Sequence, residues 1–167
     1  MQTQEIEKWI RGDNPPSIMH SARTAIAGVL SFLAARLFHM QEAYWAPIAT
    51  FIVMQSTLGA ALPVSVERLV GTVLGAFAGG LAAAYWPGNI LVFGIGVFTL
   101  GLVCQLLRIV RAAYRYAGIT LVIVMLVPRV HAPWLIAFHR FIEVSIGLVM
   151  GLVVTAVWPE RDASTKS

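Results

Sequence analysis

The sequence predicts an all-α membrane protein: six transmembrane helices arranged as two inverted three-helix repeats. Three observations predict it. The first is composition. The 167 residues are 58% hydrophobic and 12% charged, against roughly 45–50% and about 25% in soluble domains. A soluble fold of this size leaves too much surface wet to hide that apolar excess. The second is charge placement. Five charged residues (Glu5, Glu7, Lys8, Arg11, Asp13) precede residue 18 and four (Glu160, Arg161, Asp162, Lys166) follow residue 159, which leaves eleven for the long middle. The third is an internal repeat. Arg68 is followed by Gly75, Gly79, Ala84, Trp86 and Pro87, and Arg140 by Gly147, Gly151, Ala156, Trp158 and Pro159, at identical offsets. These observations exclude a soluble enzyme, a disordered chain and a nucleic-acid binder. The net charge of +4 reads as loop charge on a membrane protein rather than a nucleic-acid surface.

The elements follow in order. Residues 1–19 are a charged cytoplasmic tail with no apolar stretch before about residue 21, unlike a cleaved signal peptide. Ile6, Trp9 and Ile10 share one helical face, which fits either a short interfacial helix or a frayed tail ended by Asn14-Pro15-Pro16. Residues 20–160 form the membrane domain. A spanning helix needs roughly 20 apolar residues. Ala22–Phe38 is the first span, with Arg23 and Arg36 near its ends, and Ala43–Ser56 is a short second span carrying Pro47. Leu69 to Leu107 has no charge, but Tyr85-Trp86-Pro87-Gly88-Asn89 breaks it into spans at about 66–85 and 90–107. Tyr114–Val127 is a short fifth span ended by Pro128, and Trp134–Trp158 is the sixth, stopped by Pro159. Residues 161–167 are a second cytoplasmic tail.

Placing both termini in the cytoplasm puts Lys8, Arg11, Arg23, Arg68, Arg108, Arg111, Arg115, Arg161 and Lys166 inside, against Arg36, Arg129 and Arg140 outside. The repeats run about 20–87 and 90–159, shifted by about 72 residues. In the second spans Tyr44 leads to Ile52-Val53-Met54 and Tyr116 to Ile123-Val124-Met125, with one residue fewer between. An odd number of spans per copy inverts the second copy, an arrangement common in transporters. Short, interrupted spans at matching positions point to a transporter's binding region. The second span holds Tyr44, Trp45, Pro47, Thr50 and Gln55, and the fifth holds Tyr116, Gly118 and Thr120. Shortness also follows if Arg111 and Arg115 merely snorkel to the surface.

Gly71, Gly75 and Gly79, and again Gly147 and Gly151, lie four apart, a spacing that lets helices pack closely in lipid. Glu143 is the one acid well inside an apolar run. It shares a helical face with Arg140 and His139. That placement fits a proton-coupling carboxylate, a substrate-set gate or a structural ion pair. Arg108, Arg111 and Arg115 share one face, as an electropositive vestibule for organic anions or as anchoring on anionic lipid. His20, His39 and His131 lie near interfaces without metal-ligand spacing. The single Cys104 forms no intrachain disulfide. No catalytic constellation, metal site or cofactor motif is expected.

The stretch Tyr44-Trp45-Ala46-Pro47-Ile48-Ala49-Thr50-Phe51-Ile52-Val53-Met54-Gln55, followed by Glu67-Arg68-Leu69-Val70-Gly71-Thr72-Val73-Leu74-Gly75, resembles the signature of the fusaric acid resistance and aromatic acid exporter family. Arg140-x-x-Glu143-x-x-x-Gly147 is similar to its second half. The resemblance covers about residues 20–160. It implies a six-helix unit of the bacterial inner membrane, efflux of aromatic or other organic acids, and frequent dimers. Plant malate channels are distant relations, which fits an arginine-lined anion path. Full members usually carry two such units and a cytoplasmic domain, so a single unit implies a homodimer or higher homo-oligomer. The expectation is a transporter exporting small organic anions, with Tyr44, Trp45, Gln55, Arg68, Tyr116 and Arg140 on the substrate path and Glu143 coupling. A passive anion channel and a non-transporting scaffold or partner subunit are the alternatives.

Overall fold

A computed structural model describes residues 18–54, 57–127 and 132–159. Among them are six helices and no strand: α1 Ile18–Leu37, α2 Trp45–Val53, α3 Leu58–Tyr85, α4 Ile90–Leu106, α5 Arg111–Leu126 and α6 Pro133–Val157. Each expected span overlaps one helix, with shifted bounds. The proposed interfacial tail lies, apart from Ile18 and Met19, outside the described residues, as do Gln55 and residues 161–167. α3 begins well before the expected residue 66 and carries Pro63 inside it. A proline this close to a helix start removes a single intrahelical bond. The helix is capped by Thr57, whose Oγ1 accepts from Ala60 N–H at 3.3 Å. Asn89 starts α4, its Oδ1 accepting from Leu91 and Val92 N–H at 2.9 and 3.3 Å. Pro133 supplies the first turn of α6, where its missing N–H has no partner to lose.

α1, α3 and α6 are long and apolar enough to cross a membrane, and α4 is a shorter apolar helix of 17 residues. α2 has only nine residues, about 14 Å at ~1.5 Å per residue.

α1 and α4 end in the same turn. Met40 N–H donates to Ala35 C=O (3.1 Å) and His39 N–H to Arg36 C=O (3.0 Å); Ile109 N–H donates to Cys104 C=O (2.8 Å) and Arg108 N–H to Gln105 C=O (3.2 Å). This is the Schellman arrangement, whose left-handed residue is usually glycine. Here it is His39 (φ 56°) and Arg108 (φ 53°). The turn ends the helix before Arg108. Arg108, Arg111 and Arg115 therefore do not share one helical face: Arg108 sits in a turn, and Arg111 and Arg115 open α5.

Packing pairs the helices in a regular way. α3 lies against α5 and α6 against α2; α1 covers α2 and α6, while α4 covers α5 and α3; α3 also meets α6. Exchanging α1, α2 and α3 for α4, α5 and α6 returns the same set of contacts. Glycines permit the closest approaches. A Cβ at Gly71 would strike Ala113 C=O, one at Gly75 Ala117 C=O, and one at Gly147 Ala46 C=O. At Gly79 it would meet Val124 Cβ at 3.0 Å. Gly151 differs, since its nearest neighbour, Thr50 Cγ2, would be 3.6 Å away, an ordinary contact. These approaches are between helices of one chain. Gly147→Ala should therefore lower the unfolding midpoint in detergent, by the roughly 1–3 kcal/mol typical of overpacking. Gly151→Ala should leave it within about 0.5 kcal/mol of the parent, as substitutions without a clash usually do.

Candidate functional site

The site is built from two buried arginines at corresponding places. Arg68 comes from α3 and Arg140 from α6, and their exposures are 5% and 2%. Each guanidinium lies over an aromatic ring from a helix packed against its own. Arg68 Cζ is 4.9 Å from the Tyr116 ring centre, on α5, and Arg140 Cζ is 4.1 Å from that of Trp45, on α2. The positions correspond at shifts of 72 for the arginines and 71 for the rings, the one-residue difference already present between the second spans. A cation over an aromatic face is held by the ring quadrupole, more strongly once desolvated.

The surroundings then diverge. Arg140 Nη1 donates to Glu143 Oε2 at 3.1 Å, and Nη2 donates to Glu42 Oε2. Glu42 Oε2 also accepts from Trp45 Nε1 at 3.1 Å. Arg140 thus has two carboxylates, one of them (Glu143) almost fully buried. Arg68 has none among the described residues. The reason is visible at the matching positions. Ala113 stands where the other half has Glu42, and Gly71 where it has Glu143, and these two pack against each other.

The structure places the remaining candidates as follows. Tyr44 caps α2, half exposed, with its ring centre 5.7 Å from that of Trp45. His139 faces Phe138 at 6.5 Å between ring centres. Thr50 locks α2 onto α6, its Oγ1 donating to Gly147 C=O at 2.9 Å. Arg108 and Arg111 line a cavity of about 570 Å³ between α4 and α5; Arg115 does not line it. Among the described residues no group of three His, Cys, Asp or Glu side chains could hold a metal ion.

Two residues escaped the sequence reading. Glu42 joins Arg140 across 98 positions; its one local signal is its place three residues before Trp45. Arg23, placed there near the inner end of the first span, is buried, and its Nη1 donates to Trp158 C=O at 3.0 Å. It thereby binds the end of α6 to α1 and satisfies one of the carbonyls a helix end leaves open.

The chain has relatives among known proteins. The chain is 30% identical over 149 residues to inner membrane protein YeeA of Escherichia coli K12, covering 86% of this chain and 42% of that protein. It is 26% identical over 156 residues to a protein named uncharacterized transporter YdhK, from the same organism, covering 87% of this chain and 23% of that protein. The chain therefore spans less than half the length of these relatives. No solved structure matches it. The family match extends over residues 29–154, which include both arginine stations, and on that match the chain belongs to the fusaric acid resistance protein-like family.

Proposed function

We propose that this chain is the membrane-embedded unit of an inner-membrane transporter that exports small organic anions, chiefly aromatic carboxylates. One observation carries the reading: Arg68 is a buried cation on an aromatic ring, and among the described residues no carboxylate pairs with it. A charge held in a membrane domain has a functional reason or a partner. Arg140 has its partners, Glu42 and Glu143. The anion for Arg68 comes from outside the protein: its guanidinium fork takes the substrate carboxylate, and the Tyr116 ring offers a face for the substrate ring. At the second station, Glu143 is the coupling carboxylate. Protonation of Glu143 or Glu42 loosens Arg140 and frees it to receive the anion as it crosses. Trp45 and Tyr44 supply aromatic surface there, and Gln55 remains a candidate on the path.

The two halves are proposed as inverted repeats of three spans each, with both termini cytoplasmic and a homodimer or higher homo-oligomer as the working form. The exchange symmetry of the helix contacts, the paired turns at His39 and Arg108, and the paired stations support this. Trp86 and Trp158 close α3 and α6 with nearly equal torsions (φ −140°, ψ 64° and φ −131°, ψ 71°). Inversion puts the matching residues Pro87 and Pro159 on opposite faces of the membrane. In a Cys104→Ser background, a membrane-impermeant maleimide added to intact cells should label Pro87→Cys and spare Pro159→Cys. Equal labelling of both would contradict the inversion.

Transport itself is tested in proteoliposomes loaded with labelled benzoate. The expected result is saturable efflux above that of protein-free vesicles, accelerated by an opposing proton gradient. Efflux no faster than from empty vesicles would refute the proposal.

A further inference from the structure

The cavity between the end of α4 and the start of α5 lies on a helix that contributes little to the core. Of α4, only Leu100 and Cys104 are buried, and the helix is apolar on every side. Its cavity-lining residues Phe98 and Leu102 remain 67% and 50% exposed, so the cavity is open on its apolar side. The lining is graded along the axis. Phe98 and Leu102 line it along α4; Gln105 in the last turn, Arg108 in the turn that follows and Arg111 at the start of α5 line its other end. Phe98 and Gln105 are two helical turns apart, about 10 Å at ~1.5 Å per residue. No acid lines the cavity. Arg111 is the first residue of α5, whose first turn has no acidic residue and no side-chain cap from Val110, so the positive end of that helix lies beside the basic end of the cavity. The turn that places Arg108 there is shared with α1, but α1 has His39 at that position.

The geometry points to a binding site for the phosphodiester of an anionic phospholipid, with its acyl chain along Phe98 and Leu102 and its phosphate on Arg108 and Arg111. A free aromatic acid would leave the apolar slot largely unfilled, and a zwitterionic lipid would add a cation beside two guanidinium groups. The site is separate from the Arg68 and Arg140 stations and does not rest on the transport reading.

Native mass spectrometry of the detergent-purified chain with phosphatidylglycerol, phosphatidylcholine or benzoate tests it. The parent should retain phosphatidylglycerol over phosphatidylcholine. Arg108→Gly, which puts glycine where φ is positive, and Arg111→Gln should each reduce that preference about fivefold, and together roughly thirtyfold. Arg115→Gln should leave it unchanged, and benzoate should not displace the lipid. Equal retention of the two lipids by the parent, an unchanged preference in the folded double variant, an equal loss in Arg115→Gln, or displacement by benzoate would each overturn the proposal.

Discussion

Arg140→Ala should destabilise the protein by about 3–5 kcal/mol, the range for breaking a buried ion pair by removing one partner. The loss arises chiefly from Glu143, which is 2% exposed and would lose the guanidinium that neutralises it. Glu42 would lose its bond from the same group, and Trp45 the cation over its ring. Because much of the loss comes from the broken Arg140–Glu143 pair, Arg140→Ala combined with Glu143→Ala should recover a large part of it. The interaction energy of that double-mutant cycle should be well above the few tenths of a kcal/mol seen for independent sites. Denaturation of the four proteins in one detergent measures it. If Arg140→Ala unfolds at the parental midpoint, the Glu42–Arg140–Glu143 cluster is not as drawn here.

Arg68→Gln should do the opposite: keep the fold and remove the activity. Among the described residues no carboxylate pairs with Arg68, so the unfolding midpoint should stay at or above that of the parent, since an uncompensated buried charge is itself a burden. Transport should fall by roughly 30- to 150-fold, which corresponds to the loss of about 2–3 kcal/mol of charged hydrogen bonding to a substrate carboxylate. Arg68→Lys should fall in between, because an ammonium keeps the charge but not the fork or the stacking on Tyr116. Separating the two readouts matters. A stability loss equal to that of Arg140→Ala would mean that Arg68 has a structural partner, and the asymmetry between the stations would disappear.

That asymmetry was partly legible in the sequence. The shift of 72 residues pairs Arg68 with Arg140 and Gly71 with Glu143, so the missing acid near Arg68 could be read before any coordinates. The i, i+3 spacing of Arg140 and Glu143 placed them on one face, and they do pair. The breaker at Tyr85–Asn89 separated α3 from α4 because proline, glycine and a capping asparagine act locally. What stayed hidden depends on contacts distant in sequence. Glu42 reaches Arg140 from the turn between α1 and α2, 98 positions away, and nothing near it in sequence announces that partner. Arg23 looks like any arginine at the end of an apolar run until α6 brings Trp158 C=O to it. The turns at His39 and Arg108 were invisible for another reason: the usual signal is glycine, and neither has it. The glycine spacing forecast close packing, but only the fold separates Gly147, pressed on Ala46, from the roomier Gly151.

The claim that an external carboxylate completes Arg68 is tested most directly by equilibrium binding of benzoate to the detergent-purified chain, followed by calorimetry. Saturable binding should be present in the parent and lost in Arg68→Gln, and it should persist when Arg140 and Glu143 are both replaced by glutamine. Undiminished binding by folded Arg68→Gln would contradict it.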